Sequence, residues 1–258
     1  MMTDIPVNLA GLGFWAPGHA GVAPFLSGDA PDPSVRQPAA AILPPTLRRR
    51  SSLLTRAAVE AFSEAAASAG ADLRAVPTVW ASAYGEIDNT IAILEMMRGD
   101  GMPSPTRFHN SVHNTASGTA SIAQGNRAFS TAIAAGAETV RMGFTEAAAL
   151  LASGCREVTA VFFDEPPPPP FAPTKPWPLC AAAFHLTRPE AEDPSFPIEP
   201  KRLTLSSILA AARTFESAGG DALPERLRPF DGHPILPALA FLHVLSGLPD
   251  RPETAGSP

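Results

Sequence analysis

The chain has 258 residues, a net charge of −6 and a sequence pI of about 5.5. This length suits one large domain or one domain with an extension, and the acidic balance argues against a nucleic-acid partner, which would call for a basic face. Two cysteines, Cys155 and Cys180, are too few for a disulfide framework, so a reducing cytoplasm is the expected compartment.

The prolines are unevenly placed. The chain has 30, but residues 46–165 hold only Pro77, Pro103 and Pro105. Because proline interrupts helices and central strands, continuous regular structure is expected in this block.

Residues 5–28 carry no charged side chain, so a membrane or signal segment has to be considered. Prolines and glycines interrupt the stretch, Asp4 precedes it, and there is no basic n-region. We therefore expect neither a signal peptide nor an integral membrane segment.

Strands and helices alternate along the chain. Strands are predicted at 7–14, 78–83, 130–135, 158–163 and 179–187, and helices at 52–69, 86–97, 111–124, 138–153 and around 205–218, with an apolar stretch at 234–245 and loop at 16–46. The helix at 138–153 has Val140, Phe144, Ala147 and Leu151 on one stripe. Alternation of this kind predicts an α/β layered fold, and strand 158–163 is expected to be buried and parallel.

Helix 86–97 has an apolar stripe of its own. We expect Ile87, Ile91, Leu94 and Met97 to form its buried face, because they recur at helical spacing.

Two patterns could indicate a cofactor. Gly11 and Gly13 lie at the first turn, where the first predicted strand ends, but the GxGxxG spacing of a dinucleotide site is absent. His109 and His113 could share a helix face, yet a third ligand and a nearby catalytic glutamate are missing. We expect no cofactor and no metal.

A strand passes through a turn of small residues, Ala135, Gly136 and Ala137, directly into a helix. Such a turn often presents a nucleophile, because the helix dipole stabilises a thiolate or oxyanion there. No cysteine or serine occupies it, which favours a plain junction over a vestigial active site. Cys155, after a helix, and Cys180, in a strand, are expected to be packed thiols.

Residues 108–165 resemble the N-terminal half of β-ketoacyl synthases of the thiolase fold. The segments SVHN, GNR, AGAE and FDEP carry the resemblance, and VNLAGLGFWAPG and RRRSSLLTRAA are similar to the family's first strand and first core helix. The similarity is closest to short ketosynthase-like proteins encoded in aryl polyene and related type II fatty acid or polyketide gene sets. It implies a thiolase-like, mixed and mostly parallel sheet with helices on both faces.

The chain departs from this family in two ways. The position of the catalytic cysteine aligns best with Ala137, which cannot accept an acyl group. The catalytic histidines belong to the family's C-terminal half, and no family motif surrounds His233 or His243 here. The resemblance therefore implies a subunit without activity alone, similar to a chain-length factor.

A chain-length factor pairs with a full-length catalytic ketosynthase, as a heterodimer or heterotetramer, and meets the acyl carrier protein through that complex. Strand 130–135 would pair across the two-fold axis. Seven residues are the candidates for the acyl tunnel or the interface: Phe108, Val112, His113, Thr115, Ser130, Thr131 and Ile133.

The resemblance implies a ketosynthase-like half-thiolase domain at 1–188, followed by a Pro-rich loop and helical C-terminal extension at 189–258. Two other functions stay open: a free-standing acyltransferase or hydrolase with an unrecognised nucleophile, such as Cys180, and a binding or scaffold protein on the same fold.

Overall fold

Six strands form one mixed sheet in the computed structural model, which describes residues 4–99, 101–189 and 201–247. The strands are β1 (Pro6–Trp15), β2 (Thr78–Ala81), β3 (Ser130–Ile133), β4 (Glu157–Asp164), β5 (Cys180–Thr187) and β6 (Lys201–Thr204). Their order is β3-β2-β4-β5-β1-β6. Strand β2 is parallel to β3 and β4, whereas β4–β5, β5–β1 and β1–β6 are antiparallel.

The α/β fold with a mixed sheet is confirmed, but the expectation of mostly parallel pairing is wrong. Three of the five pairings between the described strands are antiparallel. Strand β4 is buried and parallel to β2, as predicted, but it is antiparallel to β5.

Helices cover both faces of the sheet. They are α1 (Val22–Ser27), α2 (Pro45–Arg50), α3 (Leu53–Ser68), α4 (Ile87–Arg98), α5 (Pro105–His109), α6 (Thr115–Gln124), α7 (Thr139–Ala152), α8 (Leu205–Ala212) and α9 (Leu236–Ser246). Helices α3 and α6 share one apolar core with Trp80 and Phe163, while α7, α8 and α9 share the other with Phe162 and Phe184. The predicted stripe of α7 is buried throughout.

The two glycines of β1 allow close helix packing. A Cβ atom on Gly13 would lie 2.0 Å from the carbonyl oxygen of Ala61, and one on Gly11 would lie 2.1 Å from that of Ala65. Helix α3 therefore rests directly on the backbone of β1. Close packing of the helix on the strand, and not a dinucleotide, accounts for the spacing of these glycines.

Several predicted bounds and faces are wrong. Segment 16–46 contains α1, strand β6 was not predicted, α6 begins at Thr115, and α8 ends at Ala212. The side chains of Leu94 and Met97 are 55% and 60% exposed, so α4 buries only part of its apolar stripe. Ile91 is buried as predicted, and Ile93, which lies outside the predicted stripe, is buried as well.

The segment 201–247 belongs to the same folded body. Strand β6 pairs with β1, and α8 and α9 contribute Ile208, Leu239 and Phe241 to the core beneath the sheet. The division at 188/189 stays a prediction; residues 190–200 and 248–258 of the predicted extension lie outside the described residues. None of the helices in the described ranges is long and apolar enough to cross a membrane.

Candidate functional site

The turn between β3 and α7 is exposed and lacks a nucleophile. Gly136 has a φ of 55°, which suits glycine, and a single 3₁₀ turn, Gly136–Glu138, leads into α7. The Thr139 hydroxyl fixes the turn, because Oγ1 accepts a hydrogen bond from the amide of Ala135 at 3.0 Å and donates one to the carbonyl of Gly136 at 2.8 Å. Ala137 is exposed on this turn.

A cavity of about 510 Å³ lies beside this turn. It is bounded by Ala83 and Tyr84 after β2, by Ala137, and by residues of the C-terminal segment that include His233 and Leu236. The cavity therefore lies at the carboxyl ends of β2 and β3, the edge of a sheet where α/β proteins usually bind ligands. No sequence pattern indicates that His233 and Ala137 border one cavity.

Cys180 and His233 form a buried contact that the sequence did not predict. Cys180 Sγ lies 3.3 Å from His233 Nε2, and the indole of Trp177 lies 4.2 Å from the imidazole between ring centroids. The amide of Ile235 donates to His233 Nδ1 at 3.1 Å, so the ring proton is placed on Nε2. In that tautomer, Nε2 is a donor toward sulfur and cannot remove the thiol proton.

Burial keeps both groups of this pair uncharged. The Cys180 thiol is fully buried, and desolvation, with a smaller effect from Asp164, raises its pKa well above the usual value. Desolvation also lowers the pKa of His233 to about 3. A nucleophilic thiolate needs the opposite environment, an accessible site with a lowered thiol pKa. The contact therefore counts against Cys180 as a nucleophile.

Asp164 fixes the loop that borders the cavity. Its buried carboxylate accepts hydrogen bonds from the Ser82 hydroxyl (2.7 Å) and from the amides of Ala83 (2.9 Å) and Tyr84 (3.0 Å). Desolvation outweighs these bonds and raises the pKa of Asp164 to about 6. The aspartate of the FDEP segment thus positions Tyr84 at the cavity.

Two more carboxyl groups lie close to Asp164. Glu86 Oε1 accepts hydrogen bonds from the hydroxyls of Ser52 and Thr55, both at 2.6 Å, and burial raises its pKa. Burial and the neighbouring Glu86 raise the pKa of Glu165 to about 8. Sequence spacing could not identify this cluster, since Glu86 and Glu165 are far apart in the chain.

Four of the predicted tunnel or interface residues lie around α5 and the start of α6. Phe108 is 63% exposed and Val112 is 41% exposed. His113 is partly buried, with Nε2 2.9 Å from the carbonyl oxygen of Ser82. Thr115 is buried and its hydroxyl donates to the carbonyl of Val112 at 2.7 Å.

The other three predicted residues lie on β3, at the edge of the described sheet. Ser130 is exposed and accepts a hydrogen bond from the Thr78 hydroxyl at 3.0 Å, while Thr131 and Ile133 are half-buried. None of the seven predicted residues borders the cavity at Ala137. Their roles stay predictions.

His109 and His113 do not share a helix face. His109 ends α5, whereas His113 lies in the turn before α6. Among the described residues, no group of three or more His, Cys, Asp or Glu side chains is arranged to hold a metal ion.

Solved structures of similar fold are ketosynthases and their partners. One is a ketosynthase in complex with its chain length factor from Xenorhabdus doucetiae (ApeO and ApeC), with 24% identity over 72% of this chain and 80% of that chain and a TM-score of 0.59. The ishigamide ketosynthase/chain length factor has 15% identity over 90% of this chain and 81% of that chain, with a TM-score of 0.57. A β-ketoacyl synthase from Burkholderia phymatum STM815 has 16% identity over 73% of this chain and 60% of that chain, with a TM-score of 0.57.

At these identities the structural similarities establish the fold alone, and no curated protein matches the chain. The family comparison is broader, since residues 27–222, about three quarters of the chain, match the family described as β-ketoacyl synthase, N-terminal domain. The match includes the exposed turn at Ala137 and the strands on either side of it. The chain is therefore a member of the β-ketoacyl synthase N-terminal-domain family.

Proposed function

We propose that this chain is a non-catalytic, chain-length-factor-type subunit that pairs with a catalytic β-ketoacyl-ACP synthase. It would act in the cytoplasm on aryl polyene, fatty acid or polyketide chains. The observation that carries this proposal is Ala137, an exposed alanine at the position that aligns best with the family's catalytic cysteine. A methyl group cannot form the acyl-enzyme, so a condensing reaction needs a cysteine from a partner.

A concentration of exposed apolar side chains supports the proposed pairing with a ketosynthase. Six of the eleven large hydrophobic side chains exposed in the described residues lie between 84 and 112: Tyr84, Leu94, Met97, Met102, Phe108 and Val112. Exposed apolar side chains concentrated in one part of a folded protein often mark an interaction site. Helices α4 and α5 contact each other, so much of this group lies on one side of the molecule.

Strand β3 offers a second element for pairing. It is the edge strand beyond β2, its exposed or half-buried side chains are mostly small, and an edge strand has unpaired backbone groups. A partner's equivalent strand could continue the sheet there. This arrangement supports a heterodimer or heterotetramer, with the acyl carrier protein recruited by the complex.

The test is co-expression with the ketosynthase encoded beside it, followed by affinity capture and native mass measurement. We expect a stoichiometric complex. Val112→Glu, which places a charge on the exposed apolar segment, should reduce ketosynthase capture at least tenfold. Val244→Glu on α9 is the matched control, because Val244 is 44% exposed and lies outside that segment. A stable monomer that ignores the ketosynthase would refute the proposal.

The tunnel role has its own test. We expect Phe108→Ala to lengthen or broaden the product distribution of an assembled complex, because a smaller side chain would leave the partner's acyl tunnel less restricted. Phe171→Ala is the control, since Phe171 is equally exposed but lies in the loop after β4. An unchanged distribution from intact complexes would rule out Phe108 as a tunnel residue.

A further inference from the structure

The cavity beside Ala137 is built largely by the chain's own C-terminal segment. Residues of α8, α9 and the loop between them form one wall, while Ala83, Tyr84 and the β3–α7 turn form the other. At about 510 Å³ it falls within the roughly 300–1,000 Å³ of small-molecule pockets. No partner chain is needed to form it.

Apolar side chains form much of the cavity lining. Ala137, Ala212, Phe215, Pro234, Leu236 and Ala240 line it. Tyr84 is 48% exposed and adds an aromatic face with a hydroxyl group. Removing apolar ligand surface from water is favourable by about 25 cal/mol per Å², so these walls favour an apolar ligand body.

The charged groups around the cavity disfavour an anion. Its lining includes three carboxylates, Glu138, Glu216 and Asp231, and no lysine or arginine. Each carboxylate already has a cationic neighbour outside the lining. The pairs are Glu138 with Arg141, Glu216 with Arg213 at 3.8 Å, and Asp231 with Lys175 at 2.7 Å.

His233 adds no positive charge to the cavity lining. Its imidazole is held neutral by burial, with a pKa of about 3, and its Nε2 faces Cys180. A negatively charged ligand would therefore find no cationic side chain in the cavity lining to pair with. A positively charged ligand would find each carboxylate already engaged with a side chain of the protein.

We propose that the cavity beside Ala137 binds an uncharged, mainly apolar small molecule, held without a covalent bond. None of the seven predicted tunnel or interface residues lines the site, and Tyr84 is the one member of the exposed apolar group at 84–112 that does. Bound there, the ligand would lie between Tyr84 on one side and residues of α8 and α9 on the other. This inference goes beyond the proposed pairing and does not depend on it.

The experiment is isothermal titration calorimetry of the full chain, or of its complex with the ketosynthase, using three probes with the same eight-carbon body. Octanamide is uncharged, octanoate is anionic and octylamine is cationic. We expect octanamide to bind at least tenfold more tightly than either charged probe. Ala137→Leu should abolish its binding by filling the cavity from an exposed position. Ala149→Leu, on an exposed site further along α7, should bind like the wild type.

Three results would overturn the proposal: no octanamide binding up to its solubility limit, equal or tighter binding of octanoate or octylamine, or unchanged binding to Ala137→Leu. A circular dichroism melt of each variant shows that it is folded. Ketosynthase capture by the same wild-type preparation is measured in parallel. Loss of probe binding with capture intact would refute the cavity site alone, and loss of capture with probe binding intact would refute the pairing alone.

Discussion

Glu165 should make the protein less stable as the pH rises. Its carboxyl group lies at the end of β4, where Oε1 accepts a hydrogen bond from the amide of Asp88 at 3.4 Å. Burial is the main cause of its raised pKa, and the neighbouring carboxylates of Glu86, Asp88 and Asp164 add to it. We therefore choose Glu165→Gln, which keeps the shape of the protonated acid and removes its charge.

The sign and size follow from the pKa difference. The pKa of Glu165 is about 8 in the folded protein, against an ordinary value of 4.5. A group whose pKa is raised by folding stabilises the folded state fully below its unfolded pKa, and that contribution is lost as the pH rises through the folded pKa. The window is therefore about pH 4.5 to 8. At about 1.4 kcal/mol per pKa unit, the loss reaches at most about 5 kcal/mol.

The assay is urea unfolding at pH 5, 6.5 and 9. We expect Glu165→Gln to exceed the free energy of unfolding of the wild type by less than about 1 kcal/mol at pH 5 and by about 2–5 kcal/mol at pH 9. Glu225→Gln is the control, because it makes the same chemical change at an exposed site. Equal stability of Glu165→Gln and wild type at pH 9 would show that Glu165 does not carry a buried charge.

Three further predictions concern packing and reactivity. Gly13→Ala should lower the free energy of unfolding by about 3 kcal/mol or more in urea melts, because its Cβ would lie 2.0 Å from the Ala61 carbonyl oxygen. The control is Gly118→Ala in α6, where an added Cβ meets nothing within 4 Å. This substitution should raise the free energy of unfolding by about 0.5–1 kcal/mol. Phe144→Ala should lower the free energy of unfolding by about 3–5 kcal/mol in the same assay, because its fully buried ring packs on Phe162, Phe184 and Phe241. A decrease below about 1 kcal/mol would contradict this packing. A thiol reagent such as DTNB should label one cysteine, Cys155, in the native protein and both cysteines in the unfolded protein, because Cys180 is fully buried. Rapid labelling of Cys180 near neutral pH would restore it as a candidate nucleophile.

Local sequence patterns correctly predicted the helices and strands that are buried within the chain's own core. The stripe of α7 and the apolar run of β4 are each buried on the expected side, because a single face or a continuous run is enough to determine such burial. The same logic failed for Leu94 and Met97, since periodicity identifies an apolar face but not whether the chain itself covers it.

The missed features depend on distant parts of the chain. The contact of Cys180 with His233 joins residues 53 positions apart, and Glu86 and Glu165 meet through the order of the strands. Strand β6 is short and charged, and only its pairing with β1 makes it a strand. Sequence patterns cannot supply such contacts before the topology is known.

The pairing of β1 affects the protein while it is being synthesised. This strand ends at Trp15, but its only partners in the described sheet are β5, which begins at Cys180, and β6 after it. At about 5–20 residues per second, a ribosome needs roughly 10–30 s to make the intervening chain. During that time the apolar strand β1 has no strand to pair with, so among the described strands it waits longest for a partner.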